Sequence, residues 1–210
     1  MPKFFMTANK TLHLLGDSIL DNGIYTETGV STMDMVVERL PEWEVHRHAV
    51  DGATIASTSK QKHPTDGLRV ISMGGNDLLP LVGGLAENED KPVNYIASLE
   101  PIANQFEKEY REVLELNPAD PTLVMTIWRP YFGEPNTDAA CNVLAGCFNA
   151  IIWGLAREKG ADVFDLYGQS DADWYSNPIE PSLTGSEHIA FAICEWATKK
   201  VDQLNMTGEL

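Results

Sequence analysis

The stretch Thr11-Leu12-His13-Leu14-Leu15-Gly16-Asp17-Ser18-Ile19-Leu20 decides how the rest of this chain is read. An apolar run stops at a glycine, the pattern of a buried strand entering a tight turn. The turn delivers a serine. At the carboxyl end of a parallel strand, where open α/β sheets gather their ligands, the Ser18 hydroxyl is a candidate nucleophile. Gly-Asp-Ser alone also makes ordinary turns, so the later segments have to carry the argument.

Moving outward, Met33 to Leu40 has helical spacing and stops at Pro41. Trp43 to Val50 alternates apolar with polar positions, as a strand near a sheet edge does, and ends at Asp51-Gly52-Ala53. Leu68 to Met73 is continuously apolar apart from Arg69 and Ser72, which suits a central strand, and ends at Gly74-Gly75-Asn76-Asp77. Val93 to Leu116 reads as a long helix presenting Ile96, Leu99, Ile102, Phe106, Tyr110, Val113 and Leu114, which Pro101 should kink or divide. Leu123 to Trp128 is a fourth strand, Thr137 to Lys159 a helix closed by Gly160, Ala161 to Leu166 a fifth strand, and Leu183 to Leu204 a last helix. The segment Leu81 to Lys91, with Gly83-Gly84 and several acids, reads as a mobile surface loop. Strands alternating with helices predict one α/β domain over residues 1–210, with a parallel sheet and right-handed crossovers.

Composition narrows the partners. The 210 residues, 43% of them hydrophobic, suffice for one sizeable core. Fifteen basic against 31 acidic residues give a formal charge of −16, which repels phosphate backbones and anionic bilayers. Nucleic acid is therefore not an expected partner. Met1 to Lys10 holds no secretory apolar core and no later run approaches a membrane span, so the expectation is a cytoplasmic protein without membrane insertion. Cys141, Cys147 and Cys194 lack metal-ligand pairing and are read as free thiols filling the core. Cys141 and Cys147 share a helix, where six residues of rise span about 9 Å, too far for a disulfide. Oligomeric state is not legible in residue order.

Three strand ends present Ser18, Gly52 and Asn76, and they become neighbours if the first strand lies between the second and third. Acyl transfer needs a nucleophile and donors aimed at the oxygen that becomes negative. The backbone N–H groups of Ser18 and Gly52 and the side-chain amide of Asn76 are the candidate donors. Here the chain resembles the SGNH, or GDSL-like, hydrolase superfamily: Gly16-Asp17-Ser18 looks like its first block, Asp51-Gly52-Ala53 its second and Gly74-Gly75-Asn76-Asp77 its third. The resemblance implies a flavodoxin-like three-layer α/β/α sandwich with a five-stranded parallel sheet. It also implies no cofactor, a small-molecule acyl ester substrate, Ser18 as nucleophile, Gly52 and Asn76 in the oxyanion hole, and Asp17 bracing the turn.

The fourth block departs from that pattern. The family carries Asp-x-x-His before a proline, whereas this chain has Asn177-Pro178-Ile179-Glu180-Pro181-Ser182, placing Asn177 at the aspartate and Glu180 at the histidine. Three readings stand. Glu180 takes the proton from Ser18, which requires burial to lift its pKa from about 4.3 toward the working pH, with Asn177 as an orienting neighbour. Alternatively His188 is the base, its unperturbed pKa near 6.5 suiting the task, although it lies about 12 Å further along a helix axis. In the third, the site binds without turnover. Glu180, held between two prolines, is the preferred reading. Trp128, Arg129 and Tyr131 are expected to line the substrate pocket, with Trp174 and Tyr175 as further wall candidates. His46 and His48 share a strand face, but with no third ligand evident, no metal is expected. A phosphate-binding flavodoxin-like protein is disfavoured, because no phosphate-cradling glycine loop precedes a helix.

Overall fold

The computed structural model describes residues 10–87, 92–169 and 171–207. Five strands, β1 (Thr11–Gly16), β2 (Glu44–Arg47), β3 (Leu68–Ser72), β4 (Thr122–Met125) and β5 (Asp162–Phe164), form one sheet in the order β2-β1-β3-β4-β5. Every pairing is parallel, and the order is the flavodoxin one. The first strand therefore lies between the second and third, as the neighbouring strand ends require.

Side-chain alternation splits the core into two layers. Leu12, Leu14, Leu68, Val70, Leu123 and Met125 face α1 (Thr32–Arg39) and α7 (Leu183–Thr207). Leu15, Ile71 and Val124 face α4 (Pro92–Glu115) and α5 (Pro135–Lys159), with Ile55 of α2 (Ile55–Thr58) and Leu78 of α3 (Gly75–Glu87) joining that layer. A one-turn helix, α6 (Leu166–Gln169), follows β5.

Several boundaries differ from the sequence reading. The second strand is confined to Glu44–Arg47: beyond it His48 N and Ala49 N both donate to Leu14 O and Val50 N to Gly16 O, so the regular ladder ends while the chain still runs beside β1. Most of the expected surface loop is helix: α3 continues through Pro80, Gly83 and Gly84 to Glu87, and residues 88–91 lie outside the described residues. Pro101 does not divide α4. The residue four positions back, Ala97, is exposed, so water can satisfy the carbonyl that loses its partner. Phe106, Tyr110, Val113 and Leu114 of α4 are buried, whereas Ile96 and Ile102 reach solvent. All three cysteines are free, but only Cys141 and Cys194 are core filler; Cys147 is exposed. By length and composition α5 qualifies to cross a membrane, against the expectation that nothing approaches a span. In this fold its Leu144, Phe148, Ile152 and Leu155 pack into the core.

Candidate active site

Two loops build the site. The first is the turn after β1. Gly16 has φ +127°, and a Cβ there would fall 1.7 Å from the Ser72 carbonyl oxygen, so only glycine lets β1 turn this close to β3. The Gln61 side chain clamps the same residue, accepting from Gly16 N at 2.8 Å and donating to its carbonyl at 2.7 Å. Asp17 N donates to Ser72 O, and Asp17 Oδ1 accepts from Ser72 Oγ at 2.9 Å and Ile19 N at 3.2 Å. Its fixed carboxyl braces the turn that holds Ser18. Burial pushes the Asp17 pKa up to about 7.

The second loop enters α7. Asn177 Oδ1 accepts from the backbone N–H groups of Ile179 and Glu180, both at 3.0 Å, closing a side-chain turn. Ser176 N donates to Glu180 O at 3.0 Å, and Tyr175 bridges Pro181 as a short antiparallel pair. The loop presents Glu180 inward, 5% exposed. Ser18 Oγ donates to Glu180 Oε1 at 2.9 Å, across 162 residues of sequence. Glu180 Oε2 is buried without a hydrogen-bond partner. Burial, aided by the nearby Asp17 and Asp51 charges and opposed by the Ser18 hydrogen bond, lifts the Glu180 pKa to about 7.

Asn22 ties the two loops together, and the sequence reading passed over it. Fully buried, it donates from Nδ2 to Pro181 O at 3.1 Å and Ser186 Oγ at 2.7 Å, while its Oδ1 accepts from Thr32 N at 2.8 Å and Thr32 Oγ1 at 3.2 Å. The only prior signal was an asparagine shortly after the turn. Nothing in residue order marks it as buried.

Ser18, Asn76 and Glu180 line one cleft, whose apolar wall includes Leu79, Ile127 and Phe132. Asn76 Nδ2 donates to Ala53 O at 3.0 Å, which uses one of its two amide hydrogens and leaves the other for a ligand. Gly52 sits at the exposed rim, outside the lining residues; its φ of +75°, rather than lack of space, is what favours glycine. The pocket wall after β4 alternates. Trp128, Pro130 and Phe132 face the cleft, whereas Arg129 and Tyr131, expected on that wall, lie outside it because successive residues of extended chain point to opposite sides. Arg129 instead covers the Tyr167 ring at 4.5 Å, and Tyr131, 57% exposed, lies near Tyr175. Trp174 packs tilted and Tyr175 edge-on against Trp128. His188 is exposed on α7, its ring stacked on Trp174 at 4.5 Å, and it is not among the residues lining the cleft.

The expectation that His46 and His48 have no third companion fails. The β1–β2 register places His13 directly opposite His46, and the candidate ligand atoms of His13, His46 and His48 lie within 4.8 Å of one another. Two rungs of a parallel ladder bring together residues 33 positions apart. Sequence order gave no register, so the third ring could not be assigned. Burial first, then the neighbouring imidazoles, pushes the His48 pKa down to about 4, and burial lowers that of His13.

No family model matches this chain, and no curated protein matches it in sequence. Solved structures do match in fold. An extracellular lipase from Streptomyces rimosus is 18% identical with a TM-score of 0.66, over 89% of this chain and 99% of that one. A member of the lipolytic protein G-D-S-L family from Veillonella parvula is 14% identical with a TM-score of 0.65, over 88% and 96%. An acetyl xylan esterase from Geobacillus stearothermophilus (W215I variant) is 16% identical with a TM-score of 0.60, over 91% and 96%. The chain thus has the α/β fold of the SGNH-type hydrolases. At this identity the likeness fixes the architecture, and the chemistry has to be argued from the side chains.

Proposed function

We propose that this protein is a serine hydrolase of small carboxylic esters that uses a glutamate where the family its motifs resemble carries histidine. The observation that carries the reading is the 2.9 Å hydrogen bond from Ser18 Oγ to a buried glutamate carboxylate. A carboxylate is ordinarily too weak a base for a serine hydroxyl. Here burial moves its pKa to about 7, where general-base transfer is most effective.

In acylation, Ser18 Oγ forms a bond to the ester carbonyl carbon as its proton passes to Glu180. The carbonyl oxygen becomes negative, held by the remaining Asn76 N–H and the Ser18 backbone N–H inside the cleft, with the Gly52 N–H at its rim as the third candidate donor. Collapse breaks the bond to the alcohol oxygen, which leaves with the proton from Glu180. Water then attacks the acyl-enzyme with the same carboxylate as base, releasing the acid and restoring the Ser18 hydroxyl. Asp17 stays out of the proton path because both Ser72 and Ile19 already bind its Oδ1. The apolar wall takes the acyl group, and the strongly acidic protein repels the carboxylate product once formed.

The test is serine-dependent chemistry on the full chain. A fluorophosphonate probe should label the protein and a short-chain nitrophenyl ester should be hydrolysed. Ser18→Ala should abolish labelling and reduce turnover on the order of 1,000-fold or more. Labelling and turnover that persist in Ser18→Ala would refute the assignment. Absence of both in the native chain would identify a binding protein instead.

A further inference from the structure

We infer that His13, His46 and His48 form a binding site for a borderline divalent transition-metal ion, Zn2+ being the reference case, at the β1–β2 edge of the sheet. Three imidazoles are the ligand set such ions prefer, and the fourth position is left to water or a carboxylate. The spacing fits. His13 Nδ1 lies 3.3 Å from His48 Nε2, and the edge of a tetrahedron with Zn–N bonds of about 2.0–2.1 Å is about 3.3–3.4 Å.

Two carboxylates beside the rings favour the same assignment, against the nearby cation Lys62. His13 Nε2 lies 3.2 Å from Asp66 Oδ1 and His46 Nε2 lies 3.1 Å from Glu44 Oε1. A carboxylate on the far nitrogen fixes the tautomer and leaves the other nitrogen as the lone-pair donor, the arrangement found behind metal-bound histidines. The Asp66 contact directs the His13 Nδ1 lone pair toward His48. The neighbouring cation on β3, Arg69, turns away to Thr122 Oγ1 and Asn117 O. The rings are stacked, with planes within 19° of parallel. Convergence on one ion therefore requires rotation about Cβ–Cγ, a soft torsion that the half-exposed His46 and His48 have room to make. The bound ion would clip the edge strand β2 and the segment after it to β1.

Isothermal titration of ZnCl2 into the full chain near neutral pH should show one saturable site with Kd on the order of 1 μM or tighter. Co2+ should give the intense visible bands of a four-coordinate nitrogen site. His48→Ala and His46→Ala, both outside the hydrolytic cleft and only partly buried, should each weaken binding about 100-fold, and Asp66→Asn about 10-fold. Saturating Zn2+ should raise the Tm of the native chain but not of the His46→Ala/His48→Ala double variant. The absence of saturable binding, or zinc binding undiminished in the double variant and so attributable to surface carboxylates, would overturn the inference.

Discussion

The two loops that meet at Ser18 each bury a carboxyl group, and the two groups are treated in opposite ways. Asp17 spends its Oδ1 on Ser72 and Ile19, so it holds a turn. Glu180 has one oxygen on the Ser18 hydroxyl and, among the described residues, no hydrogen-bond partner for the other. Burial lifts both pKa values to about 7, so a raised pKa does not separate a brace from a base. What separates them is the partner. A carboxylate whose Oδ1 accepts from its own framework holds that framework, whereas one that accepts from a hydroxyl at a cleft is placed to take that proton.

Four measurements test the difference between the two carboxyls. The largest effect should come from Glu180→Gln, which keeps shape and burial but removes the basic oxygen: kcat/KM should fall about 100- to 10,000-fold in a nitrophenyl ester assay. An undiminished rate would make Glu180 a second brace. Next is pH. Only the ionised carboxylate accepts a proton, so kcat/KM should rise about tenfold per unit up to about pH 7 and level off above it. In Asn22→Ala, Pro181 O, Ser186 and Thr32 lose a buried partner, which should cost about 1–3 kcal/mol in denaturant unfolding and slow turnover through misplacement of Glu180. The smallest change is Asp17→Asn, which retains an oxygen acceptor for Ile19 and Ser72. A carboxyl whose pKa is raised by folding contributes stability that is full below its unfolded value of 3.8 and is lost as pH rises through about 7. Removing the charge should therefore raise Tm by about 5 °C above that range, with kcat/KM within about threefold of native.

The parts of this molecule that sequence made legible are those with a local cause. Leu68 to Ser72 reads as a central strand because apolar residues occur on both faces, Leu68 and Val70 on one and Ile71 on the other, and it pairs on both sides. The Gly-Asp-Ser turn could be anticipated from its glycine, and the Glu180 position from the prolines around it. Elsewhere the cause was tertiary. Gly83 and Gly84 looked like loop residues, yet α3 carries them, one of them close against the Tyr95 ring. Arg129 and Tyr131 looked like pocket residues because the extended segment's phase could not be known. Asn22 and His13 acquire their meaning only through chains that return from far along the sequence.

The strap at Asn22 has a consequence for how the molecule can change. One end of it is the amino terminus of α1, the other is Ser186 in the first turn of α7, and these two helices pack on each other beneath the sheet. The contact between Glu180 and the Ser18 hydroxyl is therefore tied, through Asn22, to the seam between these helices. Met33 and Ile193 lie in that seam and outside the cleft lining, so under the proposed mechanism repacking them should alter turnover through the position of Glu180.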